Sequence, residues 1–408
     1  MNSNVNASDV FSDLNRYCNP AQMDTMKARG HDIIEGKKEG VFLFDGNDTK
    51  YIDCTSSSSI YNLGRRQPEL ATELKKAMYE TDQGNFPLIS SEKAQLAKKI
   101  AGFTGGKLTC SMFSVVRGES MDFACKLARG YTGRKELCAV SGSWFGHTGF
   151  SMSLAERKDR NDFGTLMPGC VTIPFGDLEA AEKTISKQTA AVMLEPLQVE
   201  NHCRAATDEY LQGLRQLCTK KGALLVFDET QSGLGRCGKK FFYEYSGAEP
   251  DVLIIGEALG GGMFPIAATV FTAKANKFMN AHPLIHLSTF GGSDLGCRVG
   301  IKALEIYERT RPWENAVVRG VTLFEGISNI QKKYPGKIIS VSGCGLAISI
   351  DTGSVDNATK FCRKAAAAGI IVTTGEVADA TVIIRPALII DENDVTEILK
   401  AIAAAVQS

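Results

Sequence analysis

Three short segments place chemically active side chains at the ends of apolar runs. Asp228 closes the run ALLVFDE (223–229), where a carboxylate in apolar surroundings needs a strong partner or must become neutral. VVRGES (115–120) is a strand-to-helix turn, and the backbone N–H groups at a helix start can seat an anion. IIGEALGGGMFP (254–265) runs into a glycine turn. For Asp228 the residues leave two roles open: a helix cap or ion pair with Arg236, or an acid that holds a protonated ring nitrogen.

Short apolar runs alternate with helical periods through the middle of the chain. The runs include 136–142, 190–196 and 252–257, and an amphipathic helix is expected over 209–222. Continuous apolar runs joined by helices are typical of buried parallel strands in an α/β sheet. Ligands bind beyond the carboxyl ends of such strands. We therefore expect the three segments to meet at one edge of the sheet.

The two ends of the chain have a different pattern. Strand-like stretches such as 380–390 alternate with helical ones over the C-terminal part, which indicates an α+β segment. GVFLFDGNDTKYIDCT (40–55) predicts a hairpin with its turn at Gly46-Asn47. The predicted division of the chain is an N-terminal segment over 1–50 that packs with the small domain, a large α/β domain over 51–310, and a small C-terminal α+β domain over 311–408.

Composition narrows the class of protein. The 408 residues carry 46 Lys and Arg against 46 Asp and Glu, which gives no support for a nucleic-acid or membrane-surface protein. The first residues are polar, and no apolar run is long enough to cross a bilayer. The twelve cysteines form no C-x-x-C pair, which favours reduced thiols over disulfides or a metal site. We therefore expect a cytoplasmic protein without a secretory signal and without a bound metal.

An ordered set of motifs resembles the class III (ornithine/GABA-type) pyridoxal-phosphate-dependent aminotransferases of fold type I. The motifs are 40–70, GESMDFACKLARGYTGRKE (118–136), SWFGHTG (143–149), EPLQVE (195–200), DETQSGLGR (228–236), PDVLIIGEALGGG (250–262) and HLSTFGGSDLGC (286–297). The resemblance implies a fold type I α/β enzyme with a large domain around a mostly parallel seven-stranded sheet and a smaller α+β domain. It also implies pyridoxal phosphate (PLP) or pyridoxamine phosphate (PMP) as cofactor, an amino acid or oxo acid as substrate, and a homodimer.

The resemblance assigns cofactor roles to individual positions. Asp228 corresponds to the carboxylate that pairs with the pyridine nitrogen and keeps the ring an electron sink. Trp144 stands where an aromatic residue stacks on the ring, and Gln231 would lie near the ring hydroxyl. Ser288 and Thr289 match the segment that reaches the cofactor phosphate from the neighbouring subunit.

Two further positions match residues that the family uses toward substrate. Glu200 corresponds to a gating glutamate. Arg385 matches an arginine that binds a substrate carboxylate in a bidentate pair, although Pro386 follows it at once where the family has a short spacer.

The departures from the family pattern fall at the cofactor site. Glu257 stands where the family has the lysine that forms the Schiff base, and a carboxylate cannot form an imine. It could act as a general base if its surroundings raised its pKa. In the phosphate loop, Arg117-Gly118-Glu119 replaces Ser-Gly-Thr. Glu119 would repel a phosphate, and Arg117 would offset that repulsion.

Three hypotheses of function follow. The first is an enzyme that binds PLP or PMP non-covalently, with ordinary transamination impaired or replaced by other chemistry and Glu257 as the proton-transfer base. The second is a catalytically inactive protein of the same fold, which serves as partner of an active paralogue or as a binding module for a small anionic metabolite. The third is a conventional aminotransferase, which requires Glu257 to be an introduced substitution.

Overall fold

The structure is a computed structural model, and it describes residues 7–84, 88–156 and 159–407. The helical segments of this part of the chain are α1 (Ala7–Tyr17), α2 (Pro20–Arg29), α3 (Ser56–Ser59), α4 (Pro68–Glu80), α5 (Ser91–Phe103), α6 (Arg117–Thr132), α7 (Gly149–Leu154), α8 (Leu178–Thr184), α9 (Asp208–Lys221), α10 (Tyr243–Ser246), α11 (Lys277–Ala281), α12 (Asp294–Thr310), α13 (Pro312–Lys333), α14 (Val355–Ala367) and α15 (Glu392–Gln407). Short 3₁₀ turns cover Arg160–Phe163 and Glu257–Gly260.

The strands of the same part of the chain are β1 (Glu35–Glu39), β2 (Phe42–Asp45), β3 (Lys50–Asp53), β4 (Leu108–Ser114), β5 (Glu136–Val140), β6 (Cys170–Ile173), β7 (Thr189–Leu194), β8 (Leu197–Gln198), β9 (Arg204–Ala205), β10 (Leu224–Asp228), β11 (Val252–Ile255), β12 (Ala267–Thr272), β13 (Ser340–Cys344), β14 (Ala347–Asp351), β15 (Ile370–Ile371), β16 (Thr373–Thr374) and β17 (Thr381–Ile384).

The largest sheet has seven strands in the order β4-β12-β11-β10-β7-β5-β6. Neighbours from β11 to β6 run parallel, and β12 runs antiparallel to both β11 and β4. Every residue of β7, β10 and β11 is buried, as expected for parallel strands that are covered by helices on both faces. The predicted α/β fold with a mostly parallel seven-stranded sheet is therefore confirmed.

The two ends of the chain share a smaller sheet in the order β1-β2-β3-β15. The predicted hairpin is formed by β2 and β3, and Asp45 Oδ1 stabilises its turn by accepting the N–H groups of Asn47 and Thr49 at 2.8 and 2.9 Å. β3 then pairs in parallel with β15, with Ile52 opposite Ile370. A further sheet of the C-terminal part has the order β13-β14-β17-β16. The boundaries predicted for the three domains remain predictions.

No helix in the described ranges combines the length and the apolar character that a membrane span requires. All twelve cysteines are free thiols, and eight of them are fully buried or nearly so: Cys54, Cys125, Cys138, Cys203, Cys218, Cys237, Cys297 and Cys362.

Candidate active site

Five strands of the large sheet carry the candidate site at their carboxyl ends. β4 leads into Arg117, β5 into Trp144, β7 into Glu195 and β11 into Glu257, while Asp228 is the last residue of β10. β10 lies between β7 and β11 in the sheet, so Asp228 stands at the centre of this edge. Parallel strands thus gather the three segments that the sequence singled out, as expected for a ligand site in this class of fold.

The side chain of Arg117 lies at the centre of the site. Its Nε donates to Asp228 Oδ2 at 2.7 Å, and its Nη2 donates to Glu195 Oε1 at 2.5 Å. Arg117 is 6% exposed, and Asp228 and Glu195 are 1% exposed. Burial opposes the charged form of the guanidinium, but the two carboxylates outweigh that effect and raise the pKa of Arg117 above its ordinary value. The cluster is a buried guanidinium that bridges two carboxyl groups.

Glu195 joins this cluster to the aromatic segment after β5. Its Oε2 accepts the backbone N–H of Trp144 at 2.5 Å, while Oε1 accepts from Arg117. Burial raises the pKa of Glu195, and the neighbouring guanidinium opposes that rise. The sequence motif EPLQVE (195–200) contains Glu195 but does not by itself indicate this role. The usable signal was an acid directly after a fully apolar run, as at Asp228.

Glu257 contacts the start of α6. Its Oε1 accepts the backbone N–H of Arg117 at 2.9 Å, across 140 positions of the chain. The N-cap residue of that helix, Val116, provides no side-chain hydrogen bond. A carboxylate from a distant loop therefore supplies the anion that a helix N-terminus favours.

The other two residues of the turn have structural contacts. Gly118 lies close to Thr148, whose Oγ1 donates to the Gly118 carbonyl at 2.9 Å, and a Cβ at position 118 would stand 2.8 Å from the Thr148 methyl group. Glu119 folds back along its own helix, and its Oε2 accepts the N–H of Val115 at 2.8 Å. Glu119 therefore satisfies a backbone donor of the turn rather than standing free.

Arg385 lies in a second buried cluster with Glu200 and Gln231. Its Nη1 donates to Glu200 Oε1 at 2.6 Å and to Gln231 Oε1 at 2.5 Å, and its Nη2 donates to Ser58 at 3.1 Å. Burial alone would raise the pKa of Glu200, but the Arg385 charge and hydrogen bond outweigh it and lower that pKa. Two residues that the resemblance assigned to substrate are thus brought together as an ion pair.

A cavity of about 560 Å³ opens beside this pair. Its wall includes Trp144, Arg385, Glu200 and Arg65, together with Ser57 and Ser58 of α3. Trp144 is 8% exposed, and its ring meets His147 edge-on at 4.9 Å. The structure therefore gives the site a pocket of small-molecule size with two arginines in its wall.

The serine segment in that wall has an unusual backbone. Ser56, Ser57, Ser58 and Ser59 all have positive φ angles, of 43°, 44°, 59° and 78°. L-residues enter this left-handed region at a cost, and single residues rather than runs normally do so. The short element α3 is therefore a strained left-handed turn.

Arg236 does not pair with Asp228, so the expected ion pair is wrong, while Asp228 Oδ1 accepts the backbone N–H of Thr230 at 3.0 Å, as a capping carboxylate does. Its guanidinium donates to the carbonyls of Leu346, at 2.8 Å, and Pro386, and to Asn62 Oδ1 at 2.6 Å. Arg236 is fully buried, and burial lowers its pKa to about 9.

Ser288 and Thr289 lie before α12 at the surface of the chain. Ser288 Oγ accepts the N–H of Gly291 at 2.9 Å, and Thr289 is exposed. Their expected contact with a neighbouring subunit remains a prediction. Within the described ranges, no group of three or more His, Cys, Asp or Glu side chains is arranged to hold a metal ion.

The arrangement can be tested against the cofactor that the resemblance implies. Seating PLP in the family manner requires a free carboxylate for the ring nitrogen, free N–H groups at the start of α6, and an amine for the imine. Here Asp228 is engaged by Arg117, the Arg117 N–H is engaged by Glu257, and position 257 offers no amine. The residues as arranged do not fit PLP seated in that manner.

Comparison with known proteins places the chain in a family. The family profile described as Aminotransferase class-III matches residues 25–406. An uncharacterized aminotransferase of Archaeoglobus fulgidus is 38% identical over 327 residues, which are 80% of this chain and 77% of that protein. A putrescine aminotransferase of Pectobacterium atrosepticum is 31% identical over 96% of this chain and 87% of its own length.

Solved structures share the fold. The ornithine aminotransferase of Toxoplasma gondii aligns with a TM-score of 0.91 at 22% identity, over 98% of this chain and 94% of its own. An amine transaminase from an uncultivated Pseudomonas species aligns with a TM-score of 0.86 at 20% identity, over 92% and 94%. Class III homologues are PLP-dependent: the first structure has partial occupancy of PLP at its active site, and the second is in the PLP-bound, internal aldimine form. The chain belongs to the class III aminotransferase family.

Proposed function

We propose that this chain is a non-catalytic class III aminotransferase homologue that binds a small carboxylate-bearing metabolite, an amino acid or an oxo acid. The observation that carries the proposal is the buried Arg117–Asp228–Glu195 cluster. It engages the carboxylate that the family uses toward the ring nitrogen, while Glu257 removes the imine-forming amine. What remains intact beside it is the pocket at Arg385.

Arg385 is the residue that would recognise the ligand. Its guanidinium is buried, and its partner Glu200 is held ionised by a lowered pKa. A ligand carboxylate would take the place of Glu200 on Arg385, because Glu200 offers Nη1 one anionic oxygen, Oε1, and a ligand carboxylate can offer the same. The exchange leaves the number of charge-assisted hydrogen bonds at Arg385 unchanged, and the cavity of about 560 Å³ accommodates a small molecule.

Calorimetric titration with amino acids and 2-oxo acids of increasing length tests this proposal. We expect one class of carboxylate to bind the wild-type protein, and Arg385→Gln to weaken that binding at least tenfold. Arg311→Gln is the matched control, because Arg311 is exposed and forms its ion pair with its neighbour Glu314, at 2.9 Å, outside the pocket. Binding that survives Arg385→Gln, or no binding by any carboxylate, would contradict the proposal.

A second candidate function is a lysine-less enzyme that takes up PLP or PMP without a covalent bond. The observation in its favour is that the three side chains assigned to the ring, Asp228, Trp144 and Gln231, are all buried in the same region, at 1%, 8% and 3% exposure. It requires Arg117 to leave Asp228. A cofactor absorbance band retained after dialysis, and not fixed to the protein by borohydride, would favour this candidate.

The assembly is part of the same proposal. Apolar side chains next to Ser288 and Thr289 are exposed, namely Leu284, Ile285, Leu287 and Phe290. Such a concentration of exposed apolar side chains on one segment is typical of a protein interface. We assign it to a second copy of this chain, and a Lys-bearing paralogue remains the alternative partner.

A further inference from the structure

Two of the departures from the family pattern, Arg117 and Glu257, are in direct contact. Arg117 begins α6, and Glu257 follows β11, yet Glu257 Oε1 lies 2.9 Å from the backbone nitrogen of Arg117. The same residue, Arg117, thus contributes its N–H to Glu257 and its guanidinium to Asp228. The two substitutions form one connected unit rather than two separate losses.

Arg117 presents a cation to Asp228. In the family, according to the resemblance, Asp228 faces a protonated ring nitrogen, which is an N–H donor with positive charge. The Nε–H of Arg117, at 2.7 Å from Oδ2, has the same charge and the same donor character. Its Nη2 also engages Glu195, so the guanidinium bridges the two buried carboxylates of this edge.

Glu257 presents an anion to the start of α6. The first N–H groups of a helix lack partners within the helix and favour a negative group, such as a phosphate. In this helix of 16 residues the N-cap makes no side-chain bond, and Glu257 accepts the first N–H. The anion at this position is therefore supplied by the chain itself.

We infer that the chain fills its own cofactor site with a pair of side chains of matching charge. Arg117 occupies the position of the ring nitrogen on Asp228, and Glu257 occupies the position of the phosphate on α6. The pair acts as a unit, because removal of either residue alone leaves the other in place against the cofactor. This inference deepens the proposed function, with which it shares the Arg117–Asp228 contact, and it does not depend on which carboxylate Arg385 binds.

Equilibrium dialysis with PLP on four proteins tests the inference: wild type, Glu257→Lys, Arg117→Ala, and the double variant. Retained PLP is measured by absorbance and by the intact mass after borohydride reduction. We expect no retention by wild type at millimolar PLP, little by either single variant, and covalently fixed PLP in the double variant with at least a tenfold gain over both. Retention by wild type, or an equal gain in Glu257→Lys alone, would overturn the inference.

NMR spectroscopy of the wild-type protein tests the same inference if the double variant does not fold. Wild-type protein is labelled with ¹⁵N-arginine, and the Nε–H resonance of Arg117 is assigned by its loss in Arg117→Lys. We expect this Nε–H to exchange slowly with solvent. We also expect its chemical shift to stay the same when PLP is added. A shift of that resonance with PLP would overturn the inference. Carboxylate titration of the same sample reports on the Arg385 pocket separately, so failure of the proposed function and failure of this inference give different results. For the double variant in the dialysis experiment, the matched control is Arg311→Ala/Glu314→Lys, which makes the same two changes at an exposed ion pair.

Discussion

Arg117 Nε lies 2.7 Å from Asp228 Oδ2 in a site that solvent scarcely reaches. A buried carboxylate needs a strong partner or must become neutral, and for Asp228 that partner is the guanidinium of Arg117, a residue of the same chain. The carboxylate at the centre of this sheet edge therefore already has its hydrogen-bond partner without a bound ligand. Recognition is left to the neighbouring pocket, where Arg385 and Glu200 form a second buried ion pair.

Removal of the Arg117 charge should destabilise the fold strongly. Arg117→Met leaves Asp228 and Glu195 buried without their cation, and breaking a buried pair by removing one partner costs about 3–5 kcal/mol. Urea denaturation followed by circular dichroism measures the loss. The exposed Arg311→Met should cost less than about 1 kcal/mol. If Arg117→Met and Arg311→Met lowered the free energy of unfolding equally, the Arg117 cluster would not behave as a buried ion pair.

A buried acid near the site should make stability depend on pH. Burial raises the pKa of Glu229 to about 7 from an ordinary 4.5, although it accepts the N–H of Tyr243 at 3.0 Å and the hydroxyl of Ser232 at 3.0 Å. The folded state therefore binds this proton more tightly than the unfolded state. The contribution of Glu229 to stability is full below pH 4.5 and is lost as the pH rises to about 7, by up to about 3 kcal/mol.

Glu229→Gln tests this pH dependence, because the amide is neutral at every pH. The free energy of unfolding, measured by urea titration from pH 4.5 to pH 7.5, should fall less steeply in the variant than in wild type. The exposed Glu209→Gln, on the first turn of α9, is the control and should leave the slope unchanged. Parallel curves for wild type and Glu229→Gln would contradict the assignment.

Removal of the Glu200 charge should strengthen the binding of a carboxylate ligand at Arg385. Glu200→Gln keeps the shape of the side chain but removes the charge that competes for Arg385 Nη1 at 2.6 Å. We expect affinity for the bound carboxylate to rise about tenfold, equivalent to about 1.4 kcal/mol. Calorimetry measures it, with the exposed Glu314→Gln as control. Weaker binding by Glu200→Gln would instead assign Glu200 to direct contact with the ligand.

The large sheet was predictable because its strands are continuous apolar runs. The runs at 223–229 and 252–257 contain β10 and β11, and the helix expected over 209–222 matches α9 to within one residue at each end. β12 was not singled out, although its residues AATVFT form an apolar run like the others. Its antiparallel direction depends on which strands lie beside it, and the local pattern carries no such information.

The contacts within the site were less predictable than the positions of its residues. The sequence placed Asp228, Glu257 and Arg117 at strand ends, and the structure brings all three together. The sequence suggested Arg236 for Asp228 because it lies only eight positions away, whereas the partner in the structure is 111 positions away. Pairing across strands is set by sheet order, which spacing along the chain does not reveal.

Disruption of the proposed interface should change the assembly. Phe290 is 56% exposed and adjoins Thr289, so Phe290→Asp would place a charge in the apolar contact. Sedimentation velocity should show a dimer for wild type and a monomer for the variant. Phe163→Asp is the control, because Phe163 is 65% exposed on a different segment. A wild-type monomer, or a dimer that persists in Phe290→Asp, would remove the assigned interface.

The left-handed turn at α3 should be relieved by glycine. Ser57 has a φ of 44° and an exposed side chain, and its neighbour Ser58 carries the hydrogen bond to Arg385. Glycine adopts a positive φ without the Cβ clash that costs an L-residue about 1–2 kcal/mol. Ser57→Gly should therefore change the free energy of unfolding by about +0.5 to +1 kcal/mol, since the greater freedom of glycine in the unfolded chain offsets part of the relief.

Thermal and urea unfolding measure that gain, and Ser91→Gly is the matched control. Ser91 begins α5 with ordinary helical geometry, so glycine there relieves no strain and should destabilise by about 0.5–1 kcal/mol. The strained turn forms part of the wall of the Arg385 pocket. If the strain holds Ser58 toward Arg385, Ser57→Gly should also weaken carboxylate binding while it stabilises the fold, because the released turn no longer fixes that hydroxyl. Loss of stability in Ser57→Gly would mean that the left-handed run carries no strain.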